Sequence, residues 1–446
     1  MKHKLLNIVR VILPVFCLSA AIVTLPVTEL AAQEEKQERK TKKAQSMSQK
    51  VYEQLTAAQE LIEAKNYNEG LAILTELSKE PKLTPYEKAQ LYNYFAYTYF
   101  TLEKYPQAIR SYETVLKQPE LPEALVANSL YTLAQLYFIT EDYKKAVKTI
   151  EKWFKTAPKP TENAYMLLGQ GYYQLEDYKK SLVPLKKAYK MVKDRGDQPK
   201  ENLLLLMRVD YFELGDYKNM VNVLKELVVL YPKTEYWLTM AGAYSELKAL
   251  EKQMVIMEML YEGGHLPKGN QQLNLANLYL LHEIPYKAAV VMDKGMKDGL
   301  IEKNIRNLRL LSQAWLQAQE SEKAIEPLKQ AAKISKDGDL DVRLGQAYLN
   351  LDRYKEAIAA FEAGLKKGGV KRPDSANVML GLANFELQRF NSAIKAFKAA
   401  SKDKRSRKSS IQWIKHAESE RDRKKELQDS IKENKARAAA DMAEPI

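Results

Sequence analysis

One short pattern recurs about every 36 residues from Val51 to Ala400, and no other feature restricts the possible fold so tightly. One copy reads Ala134-x-x-Tyr137, then Tyr143, Ala146, Ile150 and Trp153. Another reads Gly169-x-x-Tyr172, then Tyr178, Ser181, Leu185 and Ala188. A third reads Gly345-x-x-Tyr348, then Tyr354, Ala357, Phe361 and Gly364. The first small residue serves as a marker for each copy: Ala58, Ala96, Ala134, Gly169, Arg208, Ala241, Ala276, Ser312, Gly345 and Gly381. Successive markers lie 33 to 39 residues apart. A period in this range belongs to stacked units, each unable to cover its own apolar stripe, so that neighbours bury one another. Such an array offers a long binding surface in place of a single catalytic pocket.

Within one copy the apolar residues keep helical spacing. Leu91, Tyr92, Phe95, Ala96 and Tyr99 form one stripe, and Ala108, Tyr112 and Val115 form a second after a turn near Glu103-Lys104. Ala96 and Ala108 let two helix backbones approach, and the aromatics fill the space beside them. These residues resemble the tetratricopeptide repeat family, whose unit is a pair of antiparallel helices. The resemblance implies an all-α, right-handed superhelical solenoid of about ten helix-turn-helix repeats over residues 51–400. Residues 401–446 are expected to form a C-terminal capping helix, carrying Ile411, Trp413 and Ile414, and a charged tail.

Most prolines fit this register. Pro81, Pro85, Pro119, Pro122, Pro158, Pro160, Pro199, Pro232, Pro267 and Pro373 fall between units, while Pro106 and Pro285 fall in turns within units. Pro184 and Pro327 do not fit, and each should bend a second helix or delay its start. Arg208 replaces a small marker, Met220 and Gln253 stand where alanine is usual, and Asn384 replaces an aromatic. The copies around Arg208, Ala241 and Ala276 are the most divergent.

At the N-terminus, Lys2, Lys4 and Arg10 precede a mostly apolar run from Val11 to Val27, followed by Leu30-Ala31-Ala32. This order predicts a secretory signal peptide over residues 1–32 and hence a periplasmic protein. A retained membrane anchor is the rival reading, although a run holding Pro14 and Pro26 is short for a span. Residues 33–50 are charged, lack apolar periodicity and read as a flexible leader. The only cysteine, Cys17, lies inside the signal segment, so the mature chain needs no disulfide.

Catalytic and metal motifs are missing from the sequence. His3, His265, His282 and His416 are scattered without metal spacing, so neither metal nor cofactor is expected. Gly169-Gln170-Gly171 lacks the third glycine of a dinucleotide loop and falls inside a helix. Carboxylates alternate with lysines at helical spacing, as on a solvated face. The net charge of +13, from 70 basic and 57 acidic residues, comes without any nucleic-acid motif. The chain reads as a non-enzyme with no nucleic-acid partner.

In repeats of this family the first helix of each unit lines the inner face. Positions one and four after the marker, and three before it, then name the candidate groove. In the first half these are Asn93, Tyr97, Phe100, Tyr131, Gln135, Phe138, Met166, Gln170, Tyr173 and Phe212. Asn277, Gln313 and Gln346 continue the series. Amides can satisfy an extended backbone, and aromatic faces suit proline rings, so an extended peptide is the expected ligand. Packing of several aromatics against neighbouring helices is the competing reading.

Longer segments are similar to the exported tetratricopeptide proteins associated with TonB-type energy-transduction systems of Gram-negative bacteria. They include Pro85-Tyr86-Glu87-Lys88-Ala89-Gln90, Leu168 to Leu175, Tyr231-Pro232-Lys233 with Tyr236-Trp237, and Ile284 to Ala289. Gln313 to Gln319 and Lys371-Arg372-Pro373-Asp374 complete the set. The resemblance implies a scaffold that grips a periplasmic segment of the transducer and meets the membrane only through partners or an uncleaved anchor. An envelope-assembly scaffold, for cell-wall synthesis or for export of outer-membrane proteins or polysaccharide, is the alternative.

Overall fold

The computed structural model describes residues 46–157 and 159–441. The expected signal segment, and the expected leader up to residue 45, lie outside them; of the rest of that leader, Gln49 and Lys50 belong to the first helix and Ser48 is bonded to Glu87. The described residues form twenty-one α-helices and no strand, in two compact units that divide between Tyr236 and Trp237. The first unit contains α1 (Gln49–Glu63), α2 (Tyr67–Leu77), α3 (Pro85–Thr101), α4 (Tyr105–Val115) and α5 (Glu123–Ile139). It continues with α6 (Tyr143–Thr156), α7 (Glu162–Gln174), α8 (Tyr178–Asp194), α9 (Glu201–Glu213) and α10 (Tyr217–Leu230). Helix α11 (Thr234–Glu246) contains the division.

The second unit holds α12 (Leu250–Glu262), α13 (Gly269–Leu281), α14 (Pro285–Lys297), α15 (Ile305–Gln317) and α16 (Ser321–Ile334). Helices α17 (Asp339–Leu349), α18 (Tyr354–Lys367), α19 (Pro373–Glu386), α20 (Phe390–Ala400) and the closing α21 (Arg407–Asp441) complete it. The expected all-helical repeat array with a C-terminal helix is therefore present.

Every marker falls on the first helix of a pair, and nine of the ten are buried; Arg208 is half-buried. Opposite each marker, sixteen residues on, the second helix inserts a large apolar side chain. Leu74, Ile150, Leu185, Phe361 and Phe397 are among those with essentially no exposure, each worth about 2–3 kcal/mol of burial. The fit is close where the marker is glycine: a Cβ on Gly345 would stand 2.7 Å from the Phe361 ring, and one on Gly381 2.4 Å from Phe397.

The turn inside each pair is the same in all ten. The residue seven after the marker is left-handed, with φ between 56° and 68°, as at Lys65, Glu103, Glu141, Gly215 and Asp352. The next amide reaches back to the carbonyl three after the marker, for example Asp142 N to Tyr137 O at 2.8 Å. This is the Schellman cap, which satisfies carbonyls that a helix end would leave bare. It fixes the start of the second helix nine residues after the marker throughout. The spacing of 33 to 39 residues thus varies outside the turn, in second-helix length, inter-pair links and the part of the first helix before the marker.

That rule corrects one expectation. Helices α8 and α16 start at the common position and contain Pro184 and Pro327 in their interiors. The preceding cap sets the start before the proline is reached, so neither start is delayed.

Several segments singled out in the sequence are stitches between elements. The backbone amide and hydroxyl of Ser48 donate to Glu87 Oε1 at 2.8 and 2.7 Å, while Glu87 also completes a capping box with Thr84. Burial pushes the Glu87 carboxyl up, but these hydrogen bonds outweigh it and leave the group below its ordinary value. Buried Asp374 accepts from Arg372 Nη2 at 2.8 Å and Ser406 Oγ at 2.8 Å, tying the start of α19 to the approach to α21. The Arg372 guanidinium holds its carboxyl well below the usual range.

Candidate functional site

First helices of neighbouring pairs touch within each unit: α1 with α3, α5 with α7 and α7 with α9 in the first, α17 with α19 in the second. This brings Gln135 on α5 and Gln170 on α7 onto adjoining helices, both half-buried. Asn93 on α3 is also half-buried. Asn277 on α13, Gln313 on α15 and Gln346 on α17 are exposed. None of these six side-chain amides makes a hydrogen bond among the described residues. Other amides of the array do: Gln272 donates to Leu266 O at 3.0 Å, Asn307 to Glu302 O at 2.9 Å and Asn384 to Leu380 O at 2.9 Å. The free amides share one register position, apart from Asn93; Gln59 holds the same position and is bonded, donating to Glu63 Oε1 at 2.8 Å and accepting from the Tyr94 hydroxyl at 2.6 Å.

The candidate aromatics are placed differently. Phe100, Phe138, Tyr173 and Phe212 each lie beside the aromatic that opens the next helix. The ring centroids are 6.2 Å apart for Phe100–Tyr105, 5.5 Å for Phe138–Tyr143, 5.8 Å for Tyr173–Tyr178 and 6.3 Å for Phe212–Tyr217. These pairs clasp the capped turn from the side. Tyr131 rests on Trp153 at 5.4 Å, and Tyr97 packs against the core of the first two pairs. Met166 is buried. Phe212 keeps the largest exposed area of the set, at 42%.

Sequence reasoning missed Asp210, two residues after the Arg208 marker. Its side chain has no exposure, and neither carboxylate oxygen has a partner among the described residues. The Ser181 hydroxyl beside it donates to Gly169 O at 2.9 Å, and its nearness to the carboxyl opposes the effect of burial only in part. Burial pushes the carboxyl up to about 7. A protonated Asp210 can donate to the Ser181 oxygen. Tyr173, Tyr178, Arg208 and Glu213 surround this point, and burial raises Tyr178 to about 12. The available signal was positional: in eight other pairs the same place holds a buried, uncharged residue, such as Leu136, Ala314 or Ala383.

Residues 342–406 match the model described as tetratricopeptide repeat. That segment carries tetratricopeptide-type repeats. Residues 26–193 match a second model, the RNPP family C-terminal domain. No curated protein matches the chain. Among solved structures it is similar to a tetratricopeptide repeat protein from Parabacteroides merdae, at 16% identity and a TM-score of 0.35, over 60% of this chain and 99% of that one. It is similar to the C-terminal part of a repeat-containing protein from Cytophaga hutchinsonii, at 14% identity and a TM-score of 0.35, over 63% and 95% of the two chains. A third is the TPR2AB-domain:pHSP90 complex of yeast Sti1, at 12% identity and a TM-score of 0.28, over 66% and 98%.

Among the described residues no group of three or more His, Cys, Asp or Glu could hold a metal ion. No described helix is long and apolar enough to cross a membrane.

Proposed function

We propose that this protein is an exported scaffold that holds an extended segment of a partner protein along the first-helix face of its first unit. One observation carries the reading. The repeated amides Gln135 and Gln170, with Asn93, have no partner of their own. These half-buried amides still reach solvent, and an extended backbone supplies both donors and acceptors that they can take in exchange for water. Phe100, Phe138 and Tyr173 flank these amides and leave part of each ring open to apolar or proline side chains.

The partner class follows from the resemblance: the periplasmic, proline-rich segment of a TonB-type transducer, with this chain as an accessory of an outer-membrane uptake system. The test uses that segment as a synthetic peptide against the full chain and a Gln135→Ala/Gln170→Ala variant. The amides are better targets than the aromatics, because Phe138 and Tyr173 also clasp turns. Affinity should fall about tenfold in the variant with its melting unchanged. Equal binding by both would refute the face, and absence of binding to wild type would refute the partner. Cell fractionation that leaves the chain in the cytoplasm would refute export.

A further inference from the structure

The two prolines that the repeat pattern does not explain occupy the same place, fifteen residues after their markers Gly169 and Ser312. A cavity lies beside each. The first, of about 650 Å³, opens between α6 and α8 over α7. The second, of about 480 Å³, opens between α14 and α16 over α15. Each has eleven lining residues, and position by position they coincide in repeat register. In the floors, Phe154 corresponds to Met296, Tyr165 to Leu308, Leu168 to Leu311 and Tyr172 to Trp315. On the rims, Lys155 corresponds to Lys297 and Lys180 to Lys323. The first cavity is contained in the first unit and the second in the second.

This face is separate from the proposed amide face. On α7 the floor uses Tyr165, Leu168 and Tyr172, whereas the candidate groove uses Met166, Gln170 and Tyr173. At about 100° per residue the two stripes point roughly a third of a turn apart. Each proline also lacks an amide hydrogen, so the carbonyls of Lys180 and Lys323, four residues earlier, lose their usual helical donor. The cavities therefore combine an apolar floor, a backbone acceptor at the edge and a cationic rim.

The charges choose the occupant. In the first cavity Glu151 already accepts the Tyr172 hydroxyl, and Lys180 pairs with Asp177 at 2.8 Å. Lys155 and Lys187 are exposed and form no ion pair among the described residues, with the Lys187 ammonium 5.5 Å from the Tyr165 ring centre. Two free cations over an aromatic floor complement carboxylates flanking an apolar anchor. In the second cavity Lys297 pairs with Asp293 at 2.6 Å and Lys323 with Glu320 at 3.2 Å, while Glu326 stands at the position of Val183. That copy keeps the apolar floor and has less cationic charge to offer.

We propose that these register-equivalent cavities are a duplicated docking site for an acidic peptide segment of a partner protein. A large apolar side chain fills the floor, and Asp or Glu neighbours meet Lys155 and Lys187 in the stronger, first copy. The test pans a phage-displayed dodecapeptide library on the full chain and measures the enriched peptides on two variants. Enriched sequences should carry an aromatic or leucine flanked by Asp or Glu. Lys155→Glu/Lys187→Glu, which alters only exposed side chains, should weaken them about tenfold with unchanged melting. Gln135→Ala/Gln170→Ala should leave them within about twofold, which separates this site from the amide face. No enrichment, enriched sequences without acids, or an affinity that follows the amide variant would overturn the proposal.

Discussion

Asp210 is the residue whose chemistry departs furthest from its surroundings. In the folded chain burial pushes its carboxyl up to about 7, whereas an unfolded aspartate has the ordinary value of 3.8. Between those values the folded state keeps a proton that the unfolded chain releases, so stability falls as pH rises. The contribution is fully present below about pH 4 and lost above about pH 7, amounting to roughly 3–5 kcal/mol. Asp210→Asn keeps the shape and a donor toward Ser181 but cannot ionise. It should match wild type near pH 4.5 and exceed it by a few kcal/mol at pH 8. Urea midpoints for the first unit across that range provide the measurement. Parallel pH profiles for the two proteins would show that the carboxyl is not buried as described.

At the scale of elements, the capped turn within each pair does most to order the array, and it uses poor residues. Nine of the ten left-handed positions hold a residue other than glycine, and only Gly215 is suited to the conformation. A side chain there costs about 1 kcal/mol. Glu141→Gly should therefore raise stability by about that amount, and Gly215→Ala should lower it similarly, in thermal or urea unfolding. No change for either would mean that the turns are not held left-handed in solution. The helix pairs were legible in the sequence because marker, aromatic and second small residue repeat at helical spacing. The pattern also places the turn near Glu103-Lys104, but its left-handed cap was not legible, since Lys65, Glu103 and Gln319 share no side-chain chemistry and only backbone geometry unites them. The free amides stood out as a series, but whether Phe138 or Tyr173 faced a ligand or a neighbouring ring depended on tertiary packing. The cavities announced themselves only as two misplaced prolines, because a space between helices has no residue of its own.

Each unit is a run of nearest-neighbour interfaces, and the end of the second shows how such a run stops. Beyond α20 no further pair exists among the described residues to cover the last stripe, so α21 covers it with Trp413, 5.8 Å from the Phe397 ring and 5.6 Å from Phe385. His416 adds a third ring against Phe385 at 5.0 Å, and beyond it α21 is mostly charged and exposed. In a cooperative globule, losing one such contact would lower the stability of every element together. In a nearest-neighbour array the loss stays local and decays with distance from the end. Trp413→Ala removes a half-buried aromatic and should cost the last pair about 2 kcal/mol. Native-state hydrogen exchange should then show α19 to α21 opening about thirtyfold more readily. Helices α1 to α4 should exchange as in wild type. Uniform acceleration across all ten pairs would contradict the additive picture, and with it the idea that each unit's repeats stand by burying their immediate neighbours.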